Sequence, residues 1–114
     1  MHGGLTRSFV RGLDKKLLDA DMDEVIAAIN SAPQDIIWMD ESPLWYRPQY
    51  LDEEMFRKDA FTQVVGHTPV DEIYEKNGVI STDVFSTFPD GQQIGESAMV
   101  VIDTESREYE KIKV

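Results

Sequence analysis

Residues Phe61–Val84 read "FTQVVGHTPVDEIYEKNGVISTDV". The run Phe61-Thr62-Gln63-Val64-Val65 is short and apolar, and Gly66-His67-Thr68-Pro69 stops it. It therefore predicts a strand with a histidine at its tip. Lys76-Asn77-Gly78 is a turn signal, and "NGVISTDVF" after it predicts a second strand. "SAMVVIDTE" and "REYEKIKV" repeat the β-branched pattern. Pro89-Asp90-Gly91 marks a turn before the third strand, and Thr104-Glu105-Ser106-Arg107 would join the last two as a hairpin. Tyr109, Ile112 and Val114 do not share one face, so the register of the last strand stays open.

Upstream the period changes. "LDADMDEVIAAINSAPQ" predicts a helix capped by Asp19 or Asp21, with Asp23 and Glu24 in its first turn, where negative charge is favoured. Val25, Ile26 and Ile29 form its apolar stripe. Ser31-Ala32-Pro33 ends it, because the residue before proline avoids the helical region. "LDKKLL" adds an earlier helical turn. "YLDEEMFRKDAF" predicts a short helix with Leu51, Met55 and Phe56 facing inward. "PQDIIWMDESPLWYRPQY" between them holds both tryptophans and three of the five prolines, and reads as a structured loop. Its aromatics suit a plug at the core edge, or the lining of a cleft. Helices first and strands after predict an α/β (α+β) chain with a mainly antiparallel or mixed sheet.

The chain has 114 residues, 41% hydrophobic and 29% charged, which fits one small globular domain. It holds 11 Lys plus Arg against 22 Asp plus Glu, a net charge of −11. That balance argues against nucleic acid and anionic membranes as partners, since both require basic patches. An anionic substrate is compatible with it, because a metal or a single arginine reverses the field locally. With no cysteine there is no disulfide and no thiolate metal site. No apolar run is long enough to span a bilayer, and "MHGGLTRSFVRG" has no secretory h-region, so the expected location is cytoplasmic.

The two histidines, His2 and His67, stand in similar settings, one before Gly3-Gly4 and one after Gly66. A glycine lets another group approach the backbone, and strand ends in open α/β sheets are where ligands bind. Each histidine also suits a structural role, capping a loop through its ring nitrogens. Two imidazoles suit a transition metal but make only half a site. The acidic stretch "GLDKKLLDADMDE" has no His or Asn partner and reads as a solvated face.

"HGGLT" at His2–Thr6, "PLWYRP" at Pro43–Pro48 and "VVGHTPV" at Val64–Val70 follow one another in this order. Together they resemble the second half of a calcineurin-like metallophosphoesterase, in the branch of phosphoprotein phosphatases and diadenosine-tetraphosphatase-like enzymes. The resemblance covers nearly the whole chain. It implies the C-terminal half of a four-layer αββα sandwich, with residues 1–114 as one partial domain. It also implies hydrolysis of phosphate esters or anhydrides by a hydroxide bridging two metals, Mn, Fe or Zn. By this resemblance His2 and His67 bind the second metal. Arg47 of the W-x-R motif contacts the substrate phosphate, a phosphorylated protein or a dinucleotide. For Arg47 a cation–π stack on Trp45 or Tyr46 is the structural alternative. Ser81-Thr82-Asp83-Val84 stands where the family often has I-D-T-G. Asp83 would then steady the ligands from behind, while Val84 replaces a glycine of the turn.

The family's first half carries D-x-H, G-D-x-x-D and G-N-H-E, and none occurs here. No catalytic set is complete, and full binding of the metal pair by this chain alone is not expected. Only Met1 stands where an apolar strand should precede His2, as in a truncated chain. The expectation is a fragment with little or no phosphatase activity of its own. The alternatives are a non-catalytic module that self-associates through an exposed sheet edge, and a half-enzyme completed by a separate N-terminal chain.

Overall fold

The computed structural model describes all residues, Met1–Val114. It is a mixed α+β structure with few helices and two small sheets, helices first. Helix α1, Arg7–Leu13, was not anticipated from the sequence. Thr6 starts it: its hydroxyl accepts from the Phe9 N–H at 3.1 Å, which satisfies one orphan donor of the first turn. Phe9 and Val10 then go inward. Asp14 ends α1 and caps a 3₁₀ turn, Lys15–Leu18, by accepting from the Lys16 N–H at 2.9 Å. Helix α2, Met22–Asn30, uses Asp21 as its cap, with the Glu24 N–H at 2.9 Å, and stops at Ser31 ahead of Pro33. The expected stripe is only partly inward: Val25 is fully buried and Ile29 half-buried, but Ile26 is 48% exposed. A short α3, Gln34–Ile37, begins directly after Pro33.

The expected helix across "YLDEEMFRKDAF" is absent. Met55 forms an antiparallel bridge to Thr6, and the Arg7 and Phe56 N–H groups donate to the Glu54 and Leu5 carbonyls at 2.9 Å. The physical reason lies in the side chains. Met55 packs with Tyr46, Val65 and Val79, whereas Phe56 packs with Leu5, Phe9, Val10, Leu17 and Val25. Neighbouring residues that serve opposite sides require extended backbone, not a helix. Leu51, expected inside, is exposed.

The larger sheet has strands β1 (Gln63–Val65), β2 (Tyr74–Lys76) and β3 (Val79–Ser81) in the order β1-β3-β2. β1 and β3 are parallel; β2 and β3 are an antiparallel hairpin. Asn77 and Gly78 both have positive φ, 54° and 76°, as a two-residue hairpin turn of the primed type requires. β3 is central and buried along its length: Val79 faces Tyr46 and Met55, and Ile80 faces Val70, Ile73 and Val84. That two-sided burial is why "VIS" shows no polar alternation. Strands β4 (Ala98–Ile102) and β5 (Tyr109–Lys113) form the second sheet, an antiparallel hairpin. Its register places Ile102 opposite Tyr109 and Met99 opposite Ile112. Ala98 is buried in a second cluster with Val70, Ile73, Ile80 and Val84, and Val100, Ile102 and Tyr109 pack around it, while Met99, Val101 and Ile112 point outward.

Apolar burial is thus divided among three clusters, and only 23 of 114 residues are buried. The Cα radius of gyration is 15.2 Å, against about 13 Å for a well-packed domain of this length. No helix is long and apolar enough to cross a membrane.

Candidate functional site

Met1 lies alongside β1. Its amine donates to the Val64 carbonyl at 2.5 Å and its own carbonyl accepts from the Gly66 N–H at 3.0 Å. This pair of bonds is the start of a parallel ladder. It places His2 beside His67, two residues beyond β1. His67 takes the left-handed conformation at φ 67°, uncommon for a non-glycine residue and a feature of functional loops. The neighbouring Gly66 is not the strained position, and a Cβ there would meet nothing within 4 Å.

The two imidazoles stack, with ring centroids 3.7 Å apart and planes tilted by 28°. His2 Nδ1 donates to the Leu44 carbonyl. A carbonyl only accepts, so Nδ1 carries a proton in this bond, which fixes the orientation of the ring and turns Nε2 away from Leu44. Gly3 and Gly4 continue the contact: their N–H groups donate to the Pro43 and Tyr46 carbonyls at 2.9 and 3.0 Å. The first glycine is sterically required. A Cβ on Gly3 would sit 2.7 Å from the Tyr46 carbonyl oxygen and 2.8 Å from that of Pro43.

The aromatic loop supplies the surroundings. Trp45 meets His2 edge-on at 5.6 Å, and Trp38 packs on Trp45 at 5.5 Å. Trp38 is 60% exposed, whereas Tyr46 is buried, its hydroxyl accepting from the Glu53 N–H at 2.9 Å. Burial raises the Tyr46 pKa, so the phenol stays neutral. Tyr46 thus plugs the core, one of the roles expected of the loop, while Trp45 meets His2 and Trp38 packs on Trp45. Arg47 donates through Nη1 to Thr68 Oγ1 at 2.6 Å, one residue beyond His67. Its partner is this hydroxyl; the cation–π contact of the chain is made by Arg57 over Phe56 at 4.6 Å. Thr68 stands in the Gly66–Pro69 run, yet nothing in the sequence marked it as the residue that orients Arg47.

Asp83 does not reach the histidines. Its carboxylate accepts from the Ser86 N–H at 3.2 Å and from the Ser86 hydroxyl at 2.9 Å, and so holds the 83–86 turn. Val84, where the resemblance puts a glycine, is fully buried in the second cluster. No three His, Cys, Asp or Glu side chains gather as a metal-binding group anywhere in the chain. His2 and His67 are brought together, but as a stacked pair with no third ligating side chain beside them, which is too few donors for a metal site.

Comparisons with protein-family models, with curated proteins and with solved structures find no match.

Proposed function

We propose that this chain is the C-terminal half of a calcineurin-like metallophosphoesterase, and that its sheets and helices form half of the four-layer sandwich of such an enzyme. The reaction would be hydrolysis of phosphate esters or anhydrides. The observation that carries this reading is the meeting of His2 and His67 at 3.7 Å with Arg47 held one residue away on Thr68. The three quoted motifs, far apart in the chain, bring their polar side chains to one place.

A bound metal pair would supply a Lewis acid and an activated hydroxide. The chain's own share is orientation. The Leu44 carbonyl presents His2 Nε2. Thr68 takes one N–H of Arg47 and leaves the rest of its planar fork for phosphoryl oxygens. Trp45, backed by Trp38, packs edge-on against His2.

The test uses Zn²⁺ alone, by calorimetry on the purified chain. Weak binding is expected, and His2→Ala and His67→Ala should each abolish it. Binding that survives both substitutions overturns the assignment of the histidines. Turnover of p-nitrophenyl phosphate with Mn²⁺ is expected to stay at background. Turnover that disappears in His67→Ala would overturn the inference that the chain is inactive alone.

A second reading, self-association, has its own observation. The outer face of the β4–β5 hairpin presents Met99, Val101, Ile112 and Val114, each 44% exposed or more, and nothing covers them. Contiguous apolar surface of this kind marks interaction sites. A monomer in sedimentation equilibrium at all concentrations removes this reading.

A further inference from the structure

Two cavities of about 330 and 410 Å³ lie side by side against α2. They share Ile29, Asn30, Pro43 and Leu44 as lining. His2 forms part of the wall at one end and Trp38 at the other. The chain carries 22 carboxylates and 11 lysines and arginines, yet none of them lines this groove. Ile26, half exposed on α2, faces into it. Its polar side chains are Asn30, Gln34 and, at one end, His2, which stacks on His67; Arg47 is held on Thr68, the residue after His67.

We propose that the groove takes the apolar organic group of a phosphate ester whose phosphate lies at His2, His67 and Arg47. The assignment of the phosphate end rests on the function proposed above; the groove is argued separately. An apolar slot with a phosphate-binding end discriminates by both ends of a ligand. An alkyl or aryl phosphate satisfies both at once. Inorganic phosphate uses only the mouth, and a neutral alcohol only the slot. Burial of two methylenes is worth roughly a factor of ten in affinity, so the slot gives a measurable preference even if shallow.

The only two tryptophans, Trp38 and Trp45, stand at the groove and beside His2, and they provide the signal. The experiment is a fluorescence titration of the full chain with octylphosphonate, inorganic phosphate and octanol. Octylphosphonate is expected to bind at least tenfold more tightly than either. Ile26→Gln, a half-exposed helical position that should not disturb folding, is expected to cut octylphosphonate affinity at least threefold and leave phosphate unchanged. Arg47→Ala is expected to reduce octylphosphonate to the level of octanol. Equal binding of octylphosphonate and phosphate, or no effect of Ile26→Gln, overturns the groove. Octanol binding as tightly as octylphosphonate overturns the phosphate end and with it the reading beneath.

Discussion

Replacing Gly3 with alanine probes the point on which the candidate site turns. The added methyl would lie 2.7 Å from the Tyr46 carbonyl oxygen and 2.8 Å from that of Pro43, about 0.7 Å inside ordinary contact. Both obstacles are backbone, so no side chain can swing aside. The same two carbonyls accept the Gly4 and Gly3 N–H groups at 3.0 and 2.9 Å, and relieving the clash lengthens both bonds. Overpacking costs about 1–3 kcal/mol and each weakened bond up to about 1 kcal/mol, for a combined loss of about 2–4 kcal/mol. For a domain of this size that lowers Tm by about 8–16 °C. The assay is thermal unfolding followed by far-UV circular dichroism. Tryptophan fluorescence of the folded state reports the Trp45–His2 contact in the same samples. Gly12→Ala is the control: a Cβ there meets nothing within 4 Å, and the residue lies in α1, so alanine should raise Tm by a few degrees at about 0.5–1 kcal/mol. If Gly3→Ala melts within about 2 °C of the parent, a shift near 0.5 kcal/mol, then His2–Gly4 are not packed on Pro43–Tyr46 and the site as described does not exist.

Three further outcomes can be measured. Gln63, buried under Leu5, accepts from the Leu5 N–H and donates to the Leu5 carbonyl, both at 2.8 Å. Gln63→Leu strands the Leu5 N–H, while the carbonyl keeps the Phe56 N–H. Urea unfolding should show a loss of about 1–3 kcal/mol, and an unchanged midpoint would mean that water reaches Leu5. Thr6→Ala removes the cap of α1 and should cost about 1 kcal/mol in the same assay; retained stability would show that α1 does not need its cap. Glu96 accepts from Lys111 at 2.9 Å and from the Ile73 N–H at 2.8 Å. Hydrogen bonding to Lys111 first, then to Ile73, lowers its pKa below the ordinary 4.5. Its contribution is therefore present above about pH 4.5 and lost as pH falls through the depressed folded value. Lys111, raised above 10.5 by the same bond, contributes below that pH and loses its contribution as pH rises through its folded value. Glu96→Gln should flatten the acid side of a Tm-versus-pH curve, and identical curves for parent and variant would dismiss the tie between β4–β5 and the body.

Local chemistry made much of the secondary structure legible. Asp21 as a cap, Pro33 as a stop, the β-branched runs of β1, β3 and β4 and the hairpin turn at Thr104–Arg107 need only neighbours in sequence. β2 was missed because Tyr74-Glu75-Lys76 is polar and half solvated. The signal was present in Asn77-Gly78, a turn that demands a strand on both sides. α1 was missed although Thr6 could be seen as its cap. The 50–61 segment was misread because Met55 and Phe56, adjacent in the chain, are drawn to two different clusters.

The sequence by itself determined which residues could carry chemistry: two histidines, each beside glycine, and an arginine among aromatics and prolines. Only the tertiary structure decided which of them meet. Met1 joins the edge of β1, and this pairing across the length of the chain stacks His2 on His67. Thr68 fixes Arg47. Asp83 is drawn away to Ser86, three residues along. Caps and turns are set by interactions within a few residues, which composition and spacing reveal. A site is set by contacts between segments remote in sequence, and those depend on how strand pairing and core burial resolve together.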